Sequence, residues 1–488
     1  MRDLFPVLRV LGVLLVFFAF SMTVPLGASW LLDDGVWQAW PGAMGLTMVV
    51  GLLLWAILRE HKQELQPRHG VILVTLVWVC LPLSAALPMM FVYDQIGQKL
   101  SFTHAYFEAV SGLTTAGSSV LHGLDTLPVS LNIWRTFLQW LGGMGILVLA
   151  VAIMPLLGVG GSQLFRAEAA GPVKDTKLTP RITGTAKGLW GVYAVFSVTC
   201  FGAFWLGGMT PLDAMMHMFT TVSLGGLSSH DASFGYFQSP LLEAIAFCFM
   251  VAASCNFALY FVAMRKGHWQ GFWRDPEMRA TVGVLLVGGL AVALLLWVKG
   301  TYGAVDALRY GMFNTVSVAT TTGFATTDYL GWPVFAPMLM LILSGMATSA
   351  GSTGGGIKMM RMLILFSQAR RELTRLVHPR AVQPVVLGGR VVDSRMIFAV
   401  MAFMLVYGGT IVLLSMVLML TDLDPVTAFS AVVASVHCLG PGLGAVGPAS
   451  TYAVLTDFQI WVCTLGMLLG RLEILSFLAL LTPAFWRR

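Results

Sequence analysis

Charge is scarce in this chain: only 11% of its 488 residues are Asp, Glu, Lys or Arg, against 57% hydrophobic. Several water-soluble domains would need far more charged surface, so that organisation is excluded. Cysteine is sparse too. Cys80, Cys200, Cys248, Cys255, Cys438 and Cys463 stand singly in apolar surroundings without metal-type spacing, which reads as reduced packing residues and not as a disulfide frame or a zinc site. Catalytic constellations are missing. His104, His217 and His437 do not occur at ligand spacing and read as packing or hydrogen-bonding residues, and no acid, base and nucleophile converge, so an enzyme is not expected. The net charge of +6 comes from basic residues in the links between apolar runs, not from one helix face or a tail. That pattern fits positive-inside membrane topology and excludes nucleic acid as a partner.

What the chain has in abundance is apolar runs of spanning length. The first begins after Arg2 and Arg9, runs to Leu32 without a small-x-small cleavage site, and reads as a retained transmembrane helix. The second, Ala43 to Leu58, is followed by a basic link. Further spans are expected at about Val71–Met90, Ile133–Gly158, Leu189–Gly208, Leu241–Met264, Thr281–Val298, Val334–Leu365, Met396–Leu420 and Tyr452–Pro483. The links at Arg166–Lys187, Arg265–Arg279 and Arg370–Arg395 are basic, whereas the intervening loops carry Asp125, Asp231, Asp328, Asp422, Asp424 and Asp457. Ten spans with both termini cytosolic follow from this asymmetry.

Between the spans lie four segments too short to cross. Val305 to Val318 would reach only about 20 Å into a core ~30 Å thick before the polar run Thr320, Thr321, Thr322 and Gly323. Non-helical backbone is tolerated at that depth only in protein or against a wet cavity, which is the layout of a pore loop. The same layout recurs in FEAVSGLTTAGSSV with Gly117, FTTVSLGGLSSH with Gly226, and FSAVVASVHCLGPGLGAV with Gly442. Those glycines lie 109, 97 and 119 residues apart. Glycine permits backbone that turns carbonyls inward to replace a cation's water shell. The expected fold is all-α and polytopic: an N-terminal helix pair (1–65) followed by four helix, pore-loop, helix units (66–165, 166–270, 271–370 and 371–488) around one pore. The expected filter comprises Thr115, Ala116 and Gly117; Leu224, Gly225 and Gly226; Thr321, Thr322 and Gly323; and Gly440, Pro441 and Gly442.

Two other stretches stand out. Gly345, Gly351, Gly354, Gly355 and Gly356, with Ser352 and Thr353 among them, cannot sustain a helix when each Gly costs up to about 1 kcal/mol relative to Ala. An unwound segment just below a filter is a natural gate. Arg471, inside WVCTLGMLLGRLEILSFLALL, would cost roughly 2.5–3.5 kcal/mol facing lipid and should point into the bundle. Glu473 is a poor partner for it, because residues two apart on a helix do not face each other. The hydroxyls of Ser349, Ser352 and Thr353 and the loop carbonyls are better ones. Two apparent nucleotide motifs fail. GLGAVG at 442–447 lacks a βαβ context, and GSTGGGIK at 351–358 has Met359 where a magnesium-binding Ser or Thr belongs.

With SGLTTAG, TTVSLGG, ATTTGFATT, SAGSTGGGIK, LGPGLG and LGRLEIL in place, nearly the whole chain resembles the Trk/Ktr/HKT superfamily of cation transporters, most closely its bacterial TrkH-like potassium-uptake branch. The resemblance implies one potassium-coordinating glycine per unit, an intramembrane gating loop at 345–356 and an Arg471 that obstructs the pore. It also implies a homodimer in the bacterial inner membrane, controlled by a cytosolic TrkA-like nucleotide-binding ring protein. No cofactor is then expected in this chain, and NAD or ATP would sit on the partner; potassium is the substrate. Leu224 and Gly225 before Gly226, and Pro441, depart from the Thr-x-Gly pattern. The other transport reading is a sodium-coupled or weakly selective monovalent cation transporter.

Overall fold

A computed structural model describes residues 4–61, 66–152 and 182–486. The first two helices, α1 (Phe5–Ser21) and α2 (Thr23–Leu32), form one 28-residue apolar span, which packs against α3 (Ala39–Ile57). The crossing is close because Gly12 and Gly51 face each other: a β-carbon on either would stand 2.8 Å from the other's carbonyl oxygen. Helix α4 (Pro67–Gln95) then opens the first of four units.

Each unit contains a half-length helix: α5 (Phe102–Leu113), α8 (Pro211–Val222), α13 (Ala304–Ala319) and α17 (Pro425–His437). Three of these start at a capping side chain, Ser101, Thr210 or Asp424, that accepts a hydrogen bond from the amide of His104, Asp213 or Thr427 respectively. The flanking helices are α6 (Val129–Ala152), α7 (Ile182–Leu206), α9 (Pro240–Ala253), α10 (Phe257–Lys266), α11 (Gln270–Arg274), α12 (Pro276–Val298), α14 (Phe335–Ser344), α15 (Met359–Val377), α16 (Ser394–Met419), α18 (Asp457–Arg471), α19 (Ile474–Leu480) and α20 (Pro483–Trp486). A two-residue hairpin, β1 (Val386–Leu387) with β2 (Arg390–Val391), sits between α15 and α16.

The molecule is apolar on the outside as well as in its core. Leu206 and Leu405 are 87% and 78% exposed on spanning helices, an arrangement that water would penalise and lipid tails would not. Among the described residues six helices are long and apolar enough to cross a bilayer by length and composition. Two of the expected spans are bent, and a third is interrupted where the Gly-rich tract predicts it. Leu241–Met264 is two helices, α9 and α10, bent by 89°, and Tyr452–Pro483 holds α18 and α19, bent by 107°. Val334–Leu365 is interrupted from Gly345 to Lys358, and its continuation α15 has only Met359, Met360 and Ile364 buried. The expected boundary at 370/371 therefore falls inside α15, and the one at 165/166 lies outside the described residues.

Candidate ion pathway

The C-terminal ends of the four half-helices share one backbone pattern. Thr115, Leu224, Thr321 and Cys438 have left-handed φ of 52°, 54°, 62° and 54°. Two residues on, Gly117, Gly226, Gly323 and Gly440 have φ of 79°, 74°, 87° and 101°. Between them, the amides of Ala116, Gly225, Thr322 and Leu439 donate to the carbonyls of Ser111, Thr220, Ser317 and Ala434 at 2.8–2.9 Å. Left-handed backbone costs a non-glycine residue roughly 1–2 kcal/mol, so its recurrence at four such positions marks a conformation imposed by the surroundings.

The four segments close into a ring. A β-carbon on Gly117 would collide with the carbonyl oxygen of Gly225, one on Gly226 with that of Thr322, and one on Gly323 with that of Leu439. On Gly440 it would stand 3.3 Å from the carbonyl oxygen of Ala116. Each oxygen belongs to the residue just before the next unit's glycine, and the fourth unit returns to the first. Gly442, the expected fourth member, is not in this ring. Its φ is not left-handed, its amide donates to Val446 O at 2.8 Å, and its β-carbon would face Val446 and Ser430 of its own unit. The register-equivalent residues are Cys438, Leu439 and Gly440, with Pro441 and Gly442 just past them. The Leu-Gly-Gly departure in the second unit, by contrast, keeps the common geometry.

Behind the ring, each half-helix pins the extended backbone that follows its glycine. Glu108, completely buried, accepts from Ser119 Oγ at 3.0 Å and Val120 N at 3.1 Å, and pairs with the equally buried Arg135 at 2.7 Å. Arg135 reaches on to Ser228 O of the second unit at 3.4 Å. His217 meets Ser228 Oγ at 3.0 Å. Asn314 donates to Thr326 Oγ1 and accepts from Thr326 N, at 2.7 and 3.1 Å, and Ser430 Oγ accepts from Leu443 N at 2.8 Å. Neither Glu108 nor Arg135 was singled out from sequence, although opposite charges inside adjacent apolar segments are the signal of a buried pair.

Beneath the ring lies Arg471, 6% exposed. Its Nε donates to Thr114 O at 2.7 Å and its guanidinium also bonds Thr115 Oγ1 and, at 3.2 Å, Thr353 O. Arg471 thus ties the first segment of the ring to the Gly-rich loop. Of the expected partners it is a loop carbonyl, Thr353 O, that accepts from Arg471, and none of the three hydroxyls does: Thr353 Oγ1 donates to Val222 O. Ser349 Oγ instead meets Thr281 Oγ1, and Ser352 Oγ donates to Ser349 O. Glu473 does pair elsewhere, accepting two bonds from Arg361 at 2.8 and 2.6 Å.

The loop from Gly345 to Lys358 rises against the segments of the ring. Gly355 N donates to Thr321 Oγ1 at 2.9 Å, and Thr353 Oγ1 donates to Val222 O at 3.1 Å. A β-carbon on Gly355 would collide with His437 O, so only glycine fits there. The bend between α9 and α10 serves the same loop: Ser254 O accepts from Ser349 N and Phe257 N donates to Gly351 O, at 2.8 and 3.1 Å. Backbone groups released by a broken helix are thereby satisfied in protein.

At the opposite end, the mouth, His230 lies between two carboxylates. It hydrogen-bonds Asp125 from the first unit and Asp213 from the second, the latter at 3.1 Å, and stacks on Tyr236 with ring centres 3.5 Å apart. Burial alone would lower the His230 pKa, but the bonds and charges of Asp213 and Asp125 outweigh it and raise it. Burial would raise Asp213, yet bonds from His230, Thr210 and Ser229 hold it at about 2. Among the described residues no group of His, Cys, Asp and Glu forms a metal-type cluster.

Comparison with known proteins finds relatives over nearly the whole chain. A family described as TrkH, cation transport protein, matches residues 42–487. The Trk system potassium uptake protein TrkH of Vibrio parahaemolyticus is 44% identical, covering 99% of both chains. Its counterpart from Escherichia coli K12 is 42% identical over 98% of both. TrkG of Escherichia coli K12 is 36% identical, covering 89% of this chain and 88% of its own. The crystal structure of the potassium transporter TrkH from Vibrio parahaemolyticus superposes with a TM-score of 0.91 at 42% identity, covering 99% of each chain. An all-α, polytopic membrane chain with four half-helices around one axis, matched in sequence and fold at this level, belongs to the TrkH family of cation transport proteins and is not an enzyme.

Proposed function

We propose that this chain takes up potassium across the bacterial inner membrane, through a filter formed by the backbone of Thr115–Gly117, Leu224–Gly226, Thr321–Gly323 and Cys438–Gly440. The observation that carries this reading is the closed four-unit ring, in which each glycine makes room for the carbonyl before the next glycine. Such carbonyls replace the hydration shell of a cation whose entry an inside-negative potential favours by about 2.3 kcal/mol per 100 mV. The loop of residues 345–358 and Arg471 form the gate, since a guanidinium below the filter repels a cation at short range where screening is weak. Both termini face the cytosol, the unit is a homodimer, and a TrkA-like nucleotide-binding ring, carrying any NAD or ATP, docks on the basic cytosolic links. The names of the relatives support potassium as the ion.

Rubidium uptake into proteoliposomes, with and without sodium, tests the reading. Saturable uptake driven by potential and indifferent to sodium is expected, with uptake lost or sodium admitted in Gly117→Ser and Gly323→Ser. An unchanged potassium-to-sodium preference in both folded variants overturns the filter assignment. Uptake that requires sodium favours the coupled transporter.

A further inference from the structure

The Gly-rich loop is held by a carboxylate that its own sequence does not announce. Glu277, 2% exposed in the first turn of α12, directs its Oε1 at the loop and not at its own helix end. That one oxygen accepts from Ala350 N at 2.7 Å and from Met360 N at 3.2 Å. The two amides bracket the Gly-rich tract, one just before Gly351 and the other just after the loop enters α15. One turn further along α12, Thr281 Oγ1 meets Ser349 Oγ at 3.2 Å, so the same helix grips the loop twice. The loop's own closure lies next to these contacts. Gly345 O accepts from Ile357 N at 2.7 Å, and Thr348 O accepts from Met359 N at 2.8 Å.

The geometry points to Glu277 as a positioning residue of the gate: its carboxylate staples together the residues that flank the Gly351–Gly356 tract, in the arrangement that presents Thr353 to Arg471. The inference rests on the loop being the gate. Its physical basis is the flexibility of the tract. A run containing Gly351, Gly354, Gly355 and Gly356 has many backbone conformations open to it, and fixing its ends removes most of them. Amide bonds to a buried carboxylate are stronger than neutral ones and leave two unpaired donors when removed. Arg361, one residue after the second stapled amide, holds Glu473 at the α18–α19 bend, two residues from Arg471. Loss of the staple therefore loosens the loop on the side where the guanidinium is held.

Two readouts on purified protein in liposomes test this: basal rubidium flux, and the rate at which a water-soluble maleimide modifies the Ser352→Cys thiol, followed by peptide mass. Ser352 is fully buried in the parent. Glu277→Val is expected to raise both about tenfold, the scale set by losing a charge-assisted bond. Glu277→Gln keeps an acceptor oxygen and should keep labelling slow; Glu277→Asp, one carbon shorter, should be intermediate. Should Glu277→Val not fold, the Asp and Gln variants carry the test. Parent-level labelling in both Val and Asp, or Gln labelled as fast as Val, overturns the staple. Arg471→Ala separates this from the gate reading. If labelling rises in Glu277→Val while flux stays at the parent level in both variants, the staple stands and the loop is not the gate. If Arg471→Ala raises flux but Glu277→Val changes neither readout, the gate stands and the staple falls.

Discussion

The first and fourth segments of the ring have the same backbone and almost nothing else in common. In the first, Thr115–Gly117 is backed by Glu108 and Arg135, an ion pair with no exposure on either side. In the fourth, Cys438–Gly440 is backed by Ser430, a hydroxyl that accepts from Leu443 N and lies beside Leu443 O. The left-handed pair of residues and the amide bond between them recur in both. Backbone conformation is thus what the ring requires, and each unit reaches it with a different anchor. The first unit's anchor also reaches the second, through Arg135 and Ser228 O, whereas Ser430 serves only its own unit.

The comparison is broken most forcefully at the ion pair. Arg135→Met leaves the Glu108 carboxylate buried and uncompensated, which costs about 3–5 kcal/mol. Ser430→Ala strands one amide and costs about 1–3 kcal/mol. Thermal unfolding in detergent should rank the two in that order, and the double variant Glu108→Gln with Arg135→Met should recover part of the first loss. Equal destabilisation by Arg135→Met and Ser430→Ala would erase the distinction between the anchors.

A smaller effect separates two glycines of the fourth segment. At φ of 101° Gly440 holds a backbone that a side chain enters at a cost of roughly 1–2 kcal/mol or more, directly on the ring. Gly442 lies outside that region, and a methyl there would press on Val446 Cγ2 at 2.8 Å and on Ser430 at 3.1–3.2 Å, all within its own unit and off the ring. Gly440→Ala should abolish uptake or admit sodium, while Gly442→Ala should retain the potassium preference. The reverse result would restore Gly442 to the ring.

The ambiguity between those two glycines shows where sequence stops being informative. The fold was legible because a polar, Gly-bearing interruption between apolar runs has one physical solution at membrane depth, a loop buried in protein. The register of the fourth loop was not, because LGPGLG offers two glycines and only the left-handed residue two positions earlier, Cys438, tells them apart. The unwinding at Gly345–Lys358 could be foreseen from helix propensity. The bends at Ser254–Asn256 and at Glu473 could not, for neither contains Gly or Pro. They exist because Ser254 O and Phe257 N bond the Gly-rich loop, and because Glu473, at φ of 56°, turns to Arg361. Long-range partners decide both, and so they do for Glu277.

The smallest expected effect concerns the link between the first and second units at the mouth, where charge again joins the two. His230 faces Asp125 and Asp213, with His217, Tyr236 and Phe237 as ring neighbours, and Asp231 beside it accepts from Leu124 N at 3.1 Å. Its pKa is raised above the ordinary 6.5, so the folded protein keeps this proton to higher pH than the unfolded chain does. The stabilisation is then complete below about pH 6.5 and is lost as pH rises through the higher folded value. Asp213 runs the other way. With its pKa held at about 2 against an ordinary 3.8, its contribution is present above pH 3.8 and lost as pH falls toward 2. Of these two groups only His230 titrates between pH 6 and 9, and its deprotonation leaves the carboxylates of Asp125 and Asp213 facing each other across a neutral ring. The melting temperature should fall modestly over that range in the parent and stay flatter in His230→Gln, whose amide hydrogen-bonds without titrating. Asp125→Asn removes one of the charges that raise the pKa and should move the parent's fall to lower pH. A parent melting temperature independent of pH from 6 to 9, or an identical slope in His230→Gln, would show that the two units are not joined by the His230 charge.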